Sequence, residues 1–517
     1  MNKNKLNPGL QIEKLIQYGL NKNLIEGWDT LIVRNQLLDM FQLNKPYNKG
    51  IKLNSNKTIQ EILDPLIDYA FKKGLIEKNT VTYRDLFDTK IMGKLMPRQS
   101  EISNKFSRLN REEGIKSATN YFYNLSWNSN YIRADRISKN EKWTHDTEYG
   151  ELEITINLSK PEKDPDDIAK AKSMKNSSYP KCPLCPENAG YPGRLDHPAR
   201  NNHRLVPIEL EGEQWFFQFS PYVYYNEHSI ILAKDHEDMR INNDSLNKLF
   251  DFIEKFPHYF IGSNADLPLV GGSILNHDHF QAGNYTFPMD RAKKLKAYNH
   301  KDYPDIDISR LKWPLTVIRL SSKSYNQIID LATEILNLWR KYSDSANKII
   351  AETEINGEKK EHNTITPIAR INRNKEYELD IVLRNNRKSD KYPDGIFHPH
   401  KDLHHIKKEN IGLIEVMGLA ILPGRLKNEL KIISQYLSGR RDYNSEKIPE
   451  EIKSHQQWIE NLLLKYGSKL NEKKSSKILE KEVGDKFKEV LEDAGVYKLN
   501  NLGNNGFERF LAEVGIE

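Results

Sequence analysis

The stretch GGSILNHDHFQAG, residues 271–283, places two glycines ahead of His277, His279 and Gln281 at alternate positions. Alternation with a period of two predicts a strand, with the three polar side chains on one face. A strand face that meets a core is ordinarily apolar, so a single histidine there reads as a satisfied core polar group. Three polar residues on one face beside flexible backbone point to chemistry instead. A neutral imidazole can attack phosphorus and hold the transferred group covalently, splitting one transfer into two. That needs one ring nitrogen aimed at the phosphate, the other pinned by a hydrogen bond, and donors for the non-bridging oxygens. Backbone N–H groups at Gly271 and Gly272 and the side chains of Ser273 and Gln281 are candidate donors.

The chain has 517 residues, enough to bury a large core and to form roughly two to four domains. Lys and Arg number 78 against 72 Asp and Glu, a net +6 spread among interleaved charges. Nucleic-acid binding calls for a clustered basic face, so none is expected, and an RNA-binding protein stapled by a metal is the poorer reading. No apolar run approaches the roughly 20 residues of a membrane span, and MNKNKLNPGL lacks the apolar core of a secretory signal. With only two cysteines, the composition points to a soluble, cytoplasmic protein.

Those cysteines, Cys182 and Cys185, stand together in KCPLCPENAG. A thioredoxin-like redox pair would need a following helix, which Pro183 and Pro186 oppose. Packing cysteines have no reason to sit three apart. Half of a zinc site fits the spacing and the turn-rich context, with two more ligands to come from elsewhere.

Up to about residue 136 the pattern is helical, as in LQIEKLIQYGL and TIQEILDPLIDYAFKKGLI, with apolar residues at i, i+3, i+4 spacing. Leu152, Ile154 and Ile156 alternate as a strand. KDPDDIAKAKSMKNSSYP, residues 163–180, reads as a flexible loop over a site. Strands and helices then mix to about residue 422, and beyond Pro423 the chain is helical and charged. IFHPHKD echoes the H-x-H geometry at His398 and His400, with Asp402 where the first copy has Gln281. A carboxylate there would repel a phosphate oxygen, which leaves these histidines structural or metal-binding.

HDHFQ resembles the H-x-H-x-Q signature of the galactose-1-phosphate uridylyltransferases, a branch of the histidine-triad superfamily. CPLCPENAGYPGR, HPARNNHR, SPYVYYNEH and FHPHKDLHHIKKENIGLIEVMGLAILPGRL extend the likeness over residues 131–426, closest to the longer bacterial class II form. The resemblance implies a ping-pong reaction in which UDP-glucose gives its uridylyl group to a histidine and galactose 1-phosphate then collects it. The nucleophile of the signature falls on His279. Gln281 stands where hydrolytic relatives carry a third histidine, and an amide cannot protonate a leaving group. The shorter class I enzymes imply zinc ligands, which fall on Cys182, Cys185, His236 and His277, with His228 as the rival of His236. Four ligands and no open position would make the zinc structural.

Further positions carried by the resemblance are Asn264 near the nucleotide phosphates, Ser273 just before the signature, and Glu415 at the sugar hydroxyls. The class I phosphate arginines are replaced here, with Lys160 or Lys163 as candidates. The implied fold is α/β: duplicated histidine-triad-like antiparallel sheets with packed helices. The expected divisions are a helical region at 1–140, a nucleotidyl-transfer half at 141–300, a second half at 301–426 and a charged helical region at 427–517. The family implies a homodimer. The alternative is another histidine-triad nucleotidyl hydrolase or phosphorylase, against which Gln281 and the block GLIEVMGLAILPGR argue.

Overall fold

The computed structural model describes residues 7–51, 57–159, 164–173, 177–272, 274–355, 357–443 and 447–517. The chain divides into two compact units, Met1–Lys139 with Ser159–Glu237 and Asn140–Leu158 with Asp238–Glu517. Both mix helices with antiparallel strands, as the sequence implies. No helix among the described residues is long and apolar enough to cross a membrane.

The first unit opens on helices. Pro8–Asn21 is started by Asn7, whose side-chain oxygen accepts from the Leu10 N–H at 3.1 Å, and Pro8 fills the first turn, where no N–H is needed. Ile12, Leu15 and Ile16 form its buried stripe. Later helices, Gln99–Glu113 and Ile115–Asn128, set Phe106 and Phe122 on Phe217, at ring-centroid distances of 6.5 and 5.7 Å. Phe217 lies on the middle of three antiparallel strands, Val206–Leu210, Glu213–Phe219 and Ser229–Ala233. Part of the expected loop at 163–180 is a helix, Pro165–Ser173, and the rest includes residues outside those described. Asp166 and Asp167 fill its first turn, where acids favour the helix N-terminus, and Asp167 accepts from the Thr80 hydroxyl at 2.5 Å.

In the second unit seven antiparallel strands run in the order His279–Gly283, Phe260–Gly262, Asn363–Ile371, Tyr377–Asn385, Val317–Ser322, Asp307–Leu311, Lys294–Tyr298. Helices Asn243–Lys255 and Tyr325–Trp339 pack on this sheet through Leu246, Leu249 and Ile253 and through Ile328, Leu331 and Ile335. A smaller sheet joins Glu141–Thr147 to Gly150–Asn157, which pairs in parallel with Leu419–Pro423. Its alternating Leu152, Ile154 and Ile156 are buried. Beyond Pro423 come the helices Leu426–Leu437, Gln456–Tyr466, Glu472–Ala494 and Asn501–Val514.

The sheet contains a duplication. Each copy runs helix, strand, strand, and the copies meet where Gly262 pairs with Ile368 and Ile261 with Ala369. Exchanging the copies about the Gly262–Ile368 pair turns Gly262 into Ile368. Gly262 pairs with Gln281 and Ile368 with Asp380, so Asp380 holds the place of Gln281 and Glu378 that of His279. The echo expected at His398 and His400 is not part of this repeat. Those residues lie outside any strand, just before the short turn Lys401–Leu403, because Pro399 and the glycine turn at Gly395 (φ 137°) interrupt extended pairing.

Asp380 anchors a buried charge network. Arg319 donates to it twice, at 2.6 and 2.8 Å, and Arg370 reaches Asp380 at 2.5 Å, Glu378 at 2.6 Å and Asp290 at 3.0 Å. Burial pushes the Asp290 carboxyl above the usual carboxylate range despite Arg370. At Asp380 burial pushes the same way, but Arg319 and Arg370 outweigh it and hold the carboxyl low. Arg370→Met would leave three carboxylates on one guanidinium, so it should lower stability by about 3–5 kcal/mol in urea unfolding. A loss under about 1 kcal/mol would mean that the network does not hold the sheet.

Candidate functional site

The strand begins at His279, later than the alternation of histidines suggests, and His277 sits in the bend before it. The reason is local. The carbonyl of His277 turns back to accept from His279 Nδ1 at 2.8 Å, which takes residue 277 out of the extended ladder. With the proton on Nδ1, the lone pair of His279 is on Nε2. Burial lowers the pKa of this imidazole to about 4, with the His277 carbonyl pulling the other way, so the ring is neutral at pH 7. Gln281, half-buried, pairs across the ladder with Gly262.

Around this strand the second unit gathers most of the residues the sequence singled out. A methyl group at Gly271 would collide with the Ala265 carbonyl, and one at Gly272 would come within 2.9 Å of Asn264 Nδ2. The two glycines therefore let the turn lie against residues 264–265. Asn264 Oδ1 accepts from the Leu413 N–H at 2.9 Å. Glu415 Oε2 accepts from the Gly412 N–H at 3.2 Å, and its Oε1 accepts from Lys407 Nζ at 2.9 Å. Ser273, Lys160 and Lys163 lie outside the described residues.

The cysteine turn belongs to the first unit. Pro186 begins the short helical turn Pro186–Asn188, and the Asn188 amide donates to the carbonyls of Cys182 and Cys185, both at 2.8 Å. The Sγ atoms are 3.5 Å apart with no disulfide, and Cys185 Sγ is 3.2 Å from His236 Nδ1. Burial pushes the Cys182 thiol up to about 11, a cost to its thiolate that a bound cation would offset. Thiol and imidazole donors this close could hold a metal ion. The rival His228 stacks instead on Tyr224 and Tyr225, at 5.4 and 4.4 Å. His400 Nδ1 lies 3.1 Å from the Asp493 carboxylate with its ring stacked on Tyr392, and His398 meets Asn410. Among the described residues neither joins a metal-binding group.

The first unit also holds a cavity of about 680 Å³ that inspection of the sequence did not find, lined in part by Asn130, Tyr131, Arg136, Arg200, Asn202 and Tyr222. Arg136 is committed to Asp85. Arg200 lies over the Tyr131 ring at 5.4 Å and pairs with no carboxylate among the described residues. Volume, aromatic rings and a guanidinium without a carboxylate partner suit an anionic ligand of nucleotide size. The signal was present in NYIRADR and HPARNNHR as arginine and asparagine interleaved with aromatics, spread over segments far apart in sequence.

A neutral, oriented imidazole on a strand, an amide two residues on, and a glycine turn against an asparagine define a protein built for histidine-dependent group transfer. Comparison with known proteins narrows the class. The family model of the galactose-1-phosphate uridyl transferase N-terminal domain matches residues 24–238, and that of the C-terminal domain matches residues 251–442. The galactose-1-phosphate uridylyltransferase of Caldanaerobacter subterraneus subsp. tengcongensis is 53% identical over 98% of each chain. Those of Clostridium acetobutylicum and Bacillus subtilis are 52% identical over 97% of this chain and 99% of theirs, and 46% over 98% and 97%. The chain belongs to the galactose-1-phosphate uridyl transferase family. The solved structure of yeast Ap4A phosphorylase Apa2 with AMP aligns with 71% of this chain and 95% of its own at 11% identity and a TM-score of 0.30, below the level at which a shared fold follows.

Gly262 is the close approach at the centre of the second-unit sheet, since a methyl there would lie 2.9 Å from both Leu413 Cδ1 and the Pro367 carbonyl. Gly262→Ala should destabilise the protein by about 1–3 kcal/mol through overpacking, read as a lower midpoint in urea. A midpoint equal to that of the parent chain would show that the loop at Leu413 yields freely.

Proposed function

We propose that this nucleotidyltransferase carries uridylyl from UDP-glucose to galactose 1-phosphate through a covalent uridylyl-histidine. His279 Nε2 attacks the phosphorus next to uridine, the P–O bond to glucose 1-phosphate breaks, and that phosphate leaves. In the second half a phosphate oxygen of galactose 1-phosphate attacks the same phosphorus, the P–N bond breaks and UDP-galactose departs. The observation that carries the reading is the His279 ring, neutral at pH 7 and pinned at Nδ1 by the His277 carbonyl, so that Nε2 is free of the proton. Gln281 supplies an amide to the transferred phosphate, and lacking a transferable proton it spares the intermediate from hydrolysis. Asn264 and the backbone at Gly271 and Gly272, with Ser273, serve the phosphates. Glu415 takes the hexose hydroxyls.

The same reading assigns zinc to Cys182, Cys185, His236 and His277, a four-donor set of thiols and imidazoles with no fifth position for substrate. Bound there, zinc would order the turn before the nucleophile and take no part in the transfer. We further assign residues 141–300 to nucleotidyl transfer, 301–426 to the second half, and 1–140 and 427–517 to helical additions. The working form is taken as a cytoplasmic homodimer.

Intact mass after incubation with UDP-glucose alone tests the mechanism. A uridylyl adduct should form, disappear on adding galactose 1-phosphate, and be absent in His279→Ala, whose turnover should fall by roughly 10⁴-fold or more. UMP accumulating with no adduct would move the chain to the hydrolases. For the metal, elemental analysis should find close to one zinc per chain, and Cys182→Ala/Cys185→Ala should lose it together with several degrees of Tm. A metal-free protein of unchanged Tm would remove zinc from the account.

A further inference from the structure

Beneath the loop that carries Glu415 the second unit buries more charge than its fold needs. Lys407 is 5% exposed and Glu415 9%, and they form a direct pair at 2.9 Å. Lys407 also donates to the Ile421 carbonyl at 3.3 Å, and its other acidic neighbour, Glu409, is solvent-facing at 3.8 Å. Arg384, 1% exposed, donates to the Ile411 carbonyl at 2.9 Å and has no carboxylate partner among the described residues. Removing an ammonium and a carboxylate from water costs several kcal/mol per ion, and an apolar pair of similar volume would serve packing as well or better. Such a pair at a candidate sugar site calls for a role.

The lone pairs of Glu415 show what that role is. An ionised carboxylate offers about four acceptor positions. Lys407 occupies one on Oε1 and the Gly412 N–H one on Oε2, which leaves one on each oxygen. A planar carboxylate with an acceptor position left on each oxygen can take adjacent hydroxyls of a hexose ring at two points, as it meets a guanidinium. Held from one side only, the carboxylate would rotate about its last bond and lose that match. The Gly412 backbone it grips continues into Leu413, whose N–H is taken by Asn264. The clamp therefore ties the sugar-facing carboxylate to the residue placed at the phosphates.

We propose that Lys407 is a positioning residue for the hexose. It holds Glu415 fixed so that its two remaining acceptor positions take adjacent hydroxyls of the hexose 1-phosphate. This rests on the reading that Glu415 meets the sugar. Lys407 itself touches no substrate atom.

The test compares Lys407→Gln, Lys407→Arg, Glu415→Gln and the double variant Lys407→Gln/Glu415→Gln in the full chain. Three quantities are measured: KM for galactose 1-phosphate, the inhibition constant of UMP, which has no hexose, and Tm. Lys407→Gln should raise the KM about tenfold or more while the UMP constant stays within about twofold, and Lys407→Arg should show a smaller rise. The double variant should be no worse than Glu415→Gln alone, since the lysine acts only through the glutamate. A Lys407→Gln enzyme with parental KM beside an impaired Glu415→Gln would overturn the proposal, as would additive losses or an equal loss in UMP binding. A Glu415→Gln enzyme of parental KM would remove the sugar reading of Glu415 and the proposal with it. Should Lys407→Gln not fold, Lys407→Arg decides: a raised KM with an unchanged UMP constant supports positioning, and a parental KM overturns it.

Discussion

The second unit depends on one close approach of backbones. Gly262 has no Cβ, and so the Leu413 side chain and the Pro367 carbonyl can both lie where that atom would be, at 2.9 Å. Across the ladder from Gly262 is Gln281, two residues from His279, and the Leu413 N–H that follows the contact binds Asn264. One missing methyl group thus lets three parts of the candidate site share a wall: the His279 strand, the Asn264 turn and the Glu415 loop. Gly272 against the Asn264 amide repeats the device one turn away. Two positions have lost side-chain contacts, and the polar groups they bring together gain fixed geometry.

The duplication shows how such a site becomes one-sided. The exchange that maps one copy onto the other places Glu378 where the first copy has His279 and Asp380 where it has Gln281. Both carboxylates are buried, and Asp380 is tied to Arg319 and Arg370. Polar residues thus remain in both copies, but in the second they are acids paired with arginines, and a carboxylate repels a phosphate.

What could be read from the sequence follows from the range of the forces involved. The His279–Gly283 strand, the buried alternation at Leu152–Ile156 and the capped opening helix are written in neighbouring residues, and each was legible. The proximity of Cys185 and His236 was carried by the family likeness, since 51 positions separate them and no local pattern joins them. Two local patterns misled. H-P-H at 398–400 copies the spacing of the signature without its strand, because spacing is a property of the sequence and pairing a property of the sheet. The acid-rich run at Pro165–Ser173 looked like a loop by composition, yet acids in a first turn are helix-starting. The arginine cavity went unseen because its walls come from helices and turns more than 60 residues apart, and only the folded chain shows Arg200 without a carboxylate.

Buried charge is distributed in this unit with a purpose that stability alone does not explain. Around Asp380 the ions neutralise one another in a closed set that ties strand to strand. Around Glu415 the set is open: one carboxylate, one lysine in contact, and an arginine whose Nε has no acceptor. Burial depresses the Arg384 guanidinium to about 10, with the charge of Glu415 working against it. An open set of this kind is costly unless a polar ligand supplies the missing partners. A ligand bound there would stabilise the Glu415 loop more than the Asp380 network. The reason is electrostatic: beside Glu415 the Arg384 Nε–H and an acceptor position on each carboxylate oxygen remain unused.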